Sequence, residues 1–300
     1  MNSKKFAVYA GILLSMMFWG LSYPWIMIVY RCYHPITTVF LRLLVASVLM
    51  TVFSRLSKKI QRIERGDLRY FILLAIVQPF LYFLCESYGL KSVSPTPAAV
   101  IISTIPLFTP IAAFYFFKEK LMAVNIVGMA VAFGGVLLVV IKEDFTLSAS
   151  PVGFILLSIA VAMGVTYTTL LKKISFKYNA ITIVTYQNTF GIVGFLPLFF
   201  WVDWNHFLNA VPTRSVLISL GLLAVLSSSL AYVLYAYSVK QLGVSRASMF
   251  SNVMPVFTAV FAWMILDEKI TLRMGLGILA VVGGLFISQT KTPLQKNKTK

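Results

Sequence analysis

Two stretches of this chain repeat each other at one fixed shift. The run AAVIISTIPLFTPIAAFYFFKEK, ending at Lys120, returns as ASMFSNVMPVFTAVFAWMILDEK, ending at Lys269. Pro106 falls on Pro255, Glu119 on Glu268, Gly128 on Gly277 and the Gly134-Gly135 pair on Gly283-Gly284, always 149 positions apart and without a gap. A duplicated half in an apolar chain is the pattern of proteins whose two related halves enclose a solute site near the bilayer midplane.

The chain is 59% hydrophobic and 12% charged, with a mean hydropathy of +0.87. Soluble domains carry about 25% charged residues, so lipid is the expected solvent for most of this surface. A bilayer core requires about 20 apolar residues per helix, and runs of that length leave no room for a barrel. Ten spans are predicted, near 6–30, 36–54, 70–90, 94–117, 121–141, 152–172, 180–201, 215–239, 244–266 and 271–290. Five fall in each half, and because five is odd the second half must enter the membrane in the opposite sense. The expected fold is an all-α integral membrane protein with ten transmembrane helices arranged as two inverted five-helix repeats. The first repeat covers 1–142, a polar linker 143–151, the second repeat 152–290, and a basic, disordered cytoplasmic tail 291–300.

Charge supports that topology. Counting alternate loops, nineteen of the 26 Lys and Arg residues fall on one side, six on the other, and Arg42 lies within a span. The positive-inside rule places both termini in the cytoplasm. The net charge of +17 then belongs to the face turned toward anionic lipid, which makes the bilayer the partner and removes the case for nucleic acid. The apolar run after Lys4 and Lys5 continues through Tyr30 without an A-x-A cleavage site, so a retained first helix is expected rather than a signal peptide. Short loops and the absence of an organelle address suggest a bacterial inner membrane.

Motifs narrow the class further. FWGLSYP at Phe18–Pro24, PITTVFLR at Pro35–Arg42, the proline-bearing fourth and ninth helices and their KEK and DEK endings together resemble the EamA-like branch of the drug/metabolite transporter superfamily over essentially the whole chain. The resemblance implies a ten-helix carrier, with a central cavity between inverted five-helix halves and a small metabolite moved by alternating access. Members that look like this export amino acids and related metabolites. The first and sixth helices also correspond, Trp19, Gly20, Ser22 and Tyr23 pairing with Met163, Gly164, Thr166 and Tyr167, and Arg42 with Gln187.

Glu86 is predicted to be the only acid inside a span and Arg42 the only cation, at similar depths from the outer face. An ionised carboxylate in lipid faces the bundle interior, pairs with a cation, or titrates during transport. Three roles stay open for the pair: a fixed ion pair between helices two and three, recognition of a substrate ammonium by Glu86 with its carboxylate on Arg42, or proton coupling through Glu86. The other candidate substrate-binding residues are Trp19, Tyr23, Tyr82, Ser103, Tyr167, Tyr186, Gln187, Tyr235 and Asn252. At the repeat shift Glu86 maps to Tyr235 and Ser103 to Asn252. Trp and Tyr combine a broad apolar face with one hydrogen bond and so suit an amphipathic solute.

Pro24, Pro79, Pro106, Pro110, Pro197 and Pro255 are expected to kink their helices, and the duplicated Pro106 and Pro255 are the candidate hinges. Glu119 and Glu268 are expected to make local ion pairs with Lys118, Lys120 and Lys269. Ala130/Gly134 and Ala280/Gly284 are small pairs at helical spacing, which points to close packing or to a homodimer through the fifth and tenth helices. Cys32 and Cys85 suggest no disulfide framework and no metal cluster. With no P-loop, HExxH, GxSxG or dinucleotide fingerprint, and with His34 and His206 placed in outer loops, neither catalysis nor a cofactor is expected. The leading function is export of amino acids or related small metabolites. The alternatives are exchange of sugar phosphates or nucleotide-sugars, for which one buried arginine is a poor clamp, and a membrane-embedded enzyme acting on lipid-linked substrates.

Overall fold

A computed structural model describes residues 3–109, 111, 123–141, 150–243, 247–248 and 250–289. Among them, seven helical segments are long and apolar enough to cross a bilayer: α1 (Ser3–Val29), α2 (Pro35–Leu56), α3 (Leu68–Leu90), α5 (Ala123–Val140), α6 (Pro151–Ser175), α7 (Ala180–Asn209) and α8 (Arg214–Leu242). Three shorter apolar helices complete the order: α4 (Pro95–Thr109), α9 (Phe250–Leu266) and α10 (Leu272–Gln289). Proline opens α2, α4 and α6, where its missing N–H costs nothing and its fixed φ favours the helix. Residues such as Val48, Val52, Ile126, Val127 and Phe133 turn outward, giving the bundle the apolar belt that lipid requires.

Packing pairs the two halves. α2 lies on α7 and α5 on α10, while α1 packs on α8 and α9 as α6 packs on α3 and α4. Exchanging the halves maps this set of contacts onto itself. The α5–α10 crossing is antiparallel and close: Gly128 opposes Gly284 and Ser288, and Gly135 opposes Gly277 and Val281. The expected small-residue seam therefore runs through Gly128 and Gly135 on α5. Ala130 and Gly134 lie on the exposed side, whereas Ala280 and Gly284 face α5.

Several helices are interrupted. In α3, residues 76–81 form a wide π-type turn in which Gln78 is extended (φ −151°, ψ 120°) ahead of Pro79. In α8, residues 223–230 widen in the same way, and at the repeat shift Gln78 maps to Ser227. A turn at Ser103-Thr104 precedes Pro106, and a 3-10 turn over Phe250–Val253 precedes Pro255.

Two expectations change. A wide turn at Phe199–Asp203 after Pro197 carries α7 on to Asn209, so Asp203 and His206 lie in helix rather than in an outer loop, and Glu86 is not the only acid within a helical span. Asp203 is tolerated there because Thr37 and His34 surround its carboxylate. Glu268 makes no pair with the exposed Lys269. It accepts a hydrogen bond from the Thr96 hydroxyl at 2.9 Å, fastening the end of α9 to the start of α4, and burial pushes its carboxyl above the usual range against the opposing effect of Thr96 and Ser94. Pro110, Lys118, Glu119, Lys120, residues 143–149 of the linker and the tail beyond 289 lie outside the described residues.

Candidate functional site

The interrupted helices converge on one internal cavity. α1 contributes Trp19, Ser22 and Tyr23, and α2 contributes Arg42. Gln78, Tyr82, Phe83 and Glu86 come from α3, Ile102 and Ile105 from α4, and Gly164, Tyr167 and Thr168 from α6. Tyr232 and Tyr235 of α8 and Ser251 and Met254 of α9 close it. Both halves thus supply walls, and α5 and α10 supply none.

Glu86 sits at the centre of a hydroxyl cluster. It is buried on α3 and its Oε1 accepts from the Tyr82 hydroxyl at 3.0 Å and from the Tyr23 hydroxyl at 3.3 Å. Tyr82 lies one turn before it on the same helix, the i, i+4 spacing that lets two side chains meet. Arg42 is buried on α2. It donates its Nε–H to the Ser228 hydroxyl at 2.8 Å and lays its guanidinium over the Phe83 ring, 4.4 Å from the centroid. Of the three roles left open for the pair, the fixed Arg42–Glu86 ion pair is not seen: each charge has other partners. The two charges share the cavity, each held by other groups, because the widened turn of α8 offers Ser228 to the arginine and α1 offers Tyr23 to the carboxylate.

Aromatic rings complete the walls. Trp19 contacts Tyr232 and Tyr235, each at 5.1 Å between centroids, and its indole N–H donates to the Ser227 carbonyl at 3.3 Å. The Tyr167 hydroxyl donates to Gln187 Oε1 at 3.2 Å, so Gln187 acts on the cavity from behind Tyr167. Ser103, Tyr186 and Asn252 lie outside the lining. Ser103 donates to the Val100 carbonyl, Tyr186 packs on Phe71 and Phe190, and the fully buried Asn252 sits next to Ser251 with neither side-chain polar atom hydrogen-bonded.

Several lining residues lie outside the predicted set, among them Gln78, Phe83 and Tyr232, and so does Ser228, which holds Arg42. Gln78 donates to the Tyr232 hydroxyl across the cavity. A polar residue ahead of proline in an apolar run was the available signal for Gln78, and the Ser227–Ser229 triplet was the signal for Ser228.

The cavity encloses about 70 Å³. One water needs about 10–15 Å³ by this measure, so there is room for on the order of five waters. Pockets for small organic ligands run to about 300–1,000 Å³, so admitting a metabolite requires the surrounding helices to separate.

The family model described as the EamA-like transporter family matches this chain twice, over residues 7–141 and 151–290. The chain belongs to the EamA-like transporter family. This EamA-like transporter is 30% identical over 284 residues to an uncharacterized transporter of Archaeoglobus fulgidus, covering 95% of this chain and 98% of that one. It is 27% identical to the uncharacterized transporter YetK of Bacillus subtilis, covering 84% and 77% of the two chains. A solved structure titled only as the crystal structure of a protein superposes with a TM-score of 0.70 at 12% identity, over 95% of this chain and 96% of that one, which speaks to shared fold alone. The EamA-like transporter is a multi-pass membrane protein.

Proposed function

We propose that this chain is a secondary transporter that exports amino acids or related small metabolites by alternating access between two inverted five-helix halves. The observation that carries the proposal is the presence of Glu86 and Arg42 in one aromatic cavity without a bond between them. A zwitterion presents an ammonium and a carboxylate a few ångströms apart, and a cavity with separated opposite charges matches that pattern. Trp19, Tyr82, Tyr167 and Tyr235 then cover the apolar remainder of the cargo.

The inverted arrangement is supported by the antiparallel α5–α10 crossing and by the exchange of packing partners between halves. The excess of cations on one side supports cytoplasmic termini. Pro106 and Pro255, each preceded by an irregular turn, are the proposed hinges, and Glu86 is the proposed proton carrier. A single arginine in the cavity weighs against sugar phosphates, whose charge calls for several cations.

The test is a cargo screen in proteoliposomes with labelled amino acids, with and without a pH gradient. Uptake of labelled zwitterionic amino acids, inhibited by unlabelled amino acids and much less by analogues lacking either the amino or the carboxylate group, is the expected result. Uptake of nucleotide-sugars alone would sink the proposal.

A further inference from the structure

α2 and α7 are held together at both ends, at one directly and at the other through the 57–67 segment that follows α2. At one end Thr37, in the first turn of α2, donates its backbone N–H and its hydroxyl to Asp203 Oδ2 at 2.9 and 2.8 Å, and the N-cap residue His34 places Nδ1 3.3 Å from Asp203 Oδ1. At the other end Thr182, in the first turn of α7, accepts the Gln61 backbone N–H at 2.9 Å. The N-cap residue Asn179 donates its amide to the Lys59 carbonyl at 2.7 Å and its backbone N–H to Gln61 Oε1 at 2.6 Å. Lys177 adds ion pairs to Glu64 and Asp67 at 2.5 and 2.6 Å. The two ties use equivalent positions: His34 and Asn179, and Thr37 and Thr182, stand 145 residues apart, as do Arg42 and Gln187. The 22 residues of α2 separate them by about 33 Å at 1.5 Å per residue, close to the thickness of a bilayer core.

We propose that these ties are paired latches, one at each membrane face, and that the His34–Asp203 latch is set by protonation of His34 and loosened by its deprotonation. A carrier that alternates between its two faces requires each face to have contacts that close it and break on opening. The chemistry of the two latches differs although their positions correspond. The Asn179 latch uses an uncharged cap and permanently charged side chains, and Lys177, by hydrogen bonding, holds the Asp67 carboxyl below the usual range, away from physiological pH.

The His34 latch centres on a buried carboxylate beside an imidazole whose side chain is 46% exposed, so outside solvent reaches the proton site. His206 stacks on His34 with ring centroids 3.7 Å apart and its Nδ1 buried without a partner. Two imidazolium rings at that separation would repel, so the latch as proposed takes a single added proton beside Asp203. Tyr88 of α3 lies within electrostatic range of Asp203, and Tyr33 and Arg31 stand in the adjoining loop. Phenols and guanidinium groups keep their charge state through histidine's range, which leaves the histidines as the groups that switch.

Cys32, half-buried two residues before His34, is a native reporter, and Cys85→Ser leaves it as the only thiol. The experiment measures the rate at which a membrane-impermeant maleimide labels Cys32 in proteoliposomes, divided by the rate for the denatured protein at the same pH. In the Cys85→Ser protein, this ratio is expected to be about threefold or more higher at about pH 8 than at about pH 5.5, on either side of histidine's ordinary range. His34→Asn, which copies the cap found at position 179, removes that difference, and Asp203→Asn gives high labelling at both values. Lys177→Gln, at the opposite latch, leaves the difference in place. A ratio that does not change with pH in the parent, a response that survives in His34→Asn, or one that disappears in Lys177→Gln would each overturn the proposal. The inference rests on alternating access, but the readout is thiol exposure and not transport, so a failed cargo screen leaves it standing.

Discussion

Arg42 lies over the Phe83 ring, 4.4 Å from its centroid, one helical turn from the Glu86 carboxylate on the same face of α3. The ring and the Ser228 hydroxyl hold the guanidinium, while Tyr23 and Tyr82 hold the carboxylate. Opposite charges in a low-dielectric cavity attract strongly, so keeping them apart needs partners of this kind. The separation leaves a positive and a negative end in one cavity, the pattern on which the proposed zwitterion binding rests.

Replacing Glu86 with Gln keeps the two tyrosine hydrogen bonds but removes the ionisable group. Export driven by a pH gradient is expected to be lost, while exchange of cargo across equal pH persists at a reduced rate. Transport by the Gln variant that still follows an imposed gradient between about pH 5.5 and 8 would rule out Glu86 as the proton carrier.

Ser228→Ala leaves the buried Arg42 Nε–H without its acceptor. A hydrogen bond to a charged group contributes about 1.5–3 kcal/mol, so cargo bearing a carboxylate should bind roughly tenfold to a hundredfold differently as the guanidinium reorients. Equilibrium binding of carboxylate-bearing and carboxylate-free analogues measures it, and equal effects on both would contradict the role given to Arg42.

Gly134 and Gly135 are neighbours with opposite surroundings. A Cβ at Gly135 would lie 2.6 Å from the Gly277 carbonyl oxygen and from the Val281 nitrogen, whereas a Cβ at Gly134 meets nothing within 4 Å. Gly135→Ala should destabilise the α5–α10 crossing by about 1–3 kcal/mol, and Gly134→Ala should raise stability by about 0.5–1 kcal/mol through helix propensity. Thermal unfolding in detergent compares the two, and equal shifts would show that the seam is misplaced.

Pro106→Ala and Pro255→Ala restore a backbone donor to each helix. If these prolines act as hinges, turnover should fall about tenfold while cargo affinity changes less than twofold, since neither residue lines the cavity. Parallel loss of affinity in stopped-flow binding would assign them to the site instead.

The Lys177 tie has its own signature. An acid whose folded pKa lies below its unfolded value stabilises the fold above the unfolded pKa, and that stabilisation disappears as pH falls through the folded one. The Asp67 carboxyl is depressed, chiefly by Lys177 and then by Tyr178, so protection of the 59–67 amides should be constant from pH 8 down to about pH 5. The partners are exposed, so roughly 1 M salt should weaken it. Hydrogen exchange corrected for intrinsic rates reads both effects, and a pH response within this range would exclude the Asp67 pair as its main support.

Much was legible before any coordinates. The repeat shift, the apolar runs and the charge asymmetry follow from local composition, and Trp19, Tyr23, Arg42, Tyr82, Glu86, Tyr167 and Tyr235 all reach the cavity. Gln78 and Ser228 left only a hint, because they sit in the wide turns of α3 and α8, and Phe83 and Tyr232 left none, being aromatic residues in apolar runs that no local pattern distinguishes. The extension of α7 through Asp203 was hidden for a related reason: a charged residue after a proline resembles a loop until its partners on α2 are known.

By itself the sequence determined a duplicated, lipid-embedded helical chain, because hydropathy, duplication and charge bias act residue by residue along the chain. Only the tertiary structure decided that Arg42 and Glu86 stay apart, that Gly135 rather than Gly134 makes the seam, and that Asp203 is buried against His34. Those outcomes turn on which side chain arrives within 3 to 4 Å of which other, and that distance is set by how helices far apart in the sequence meet.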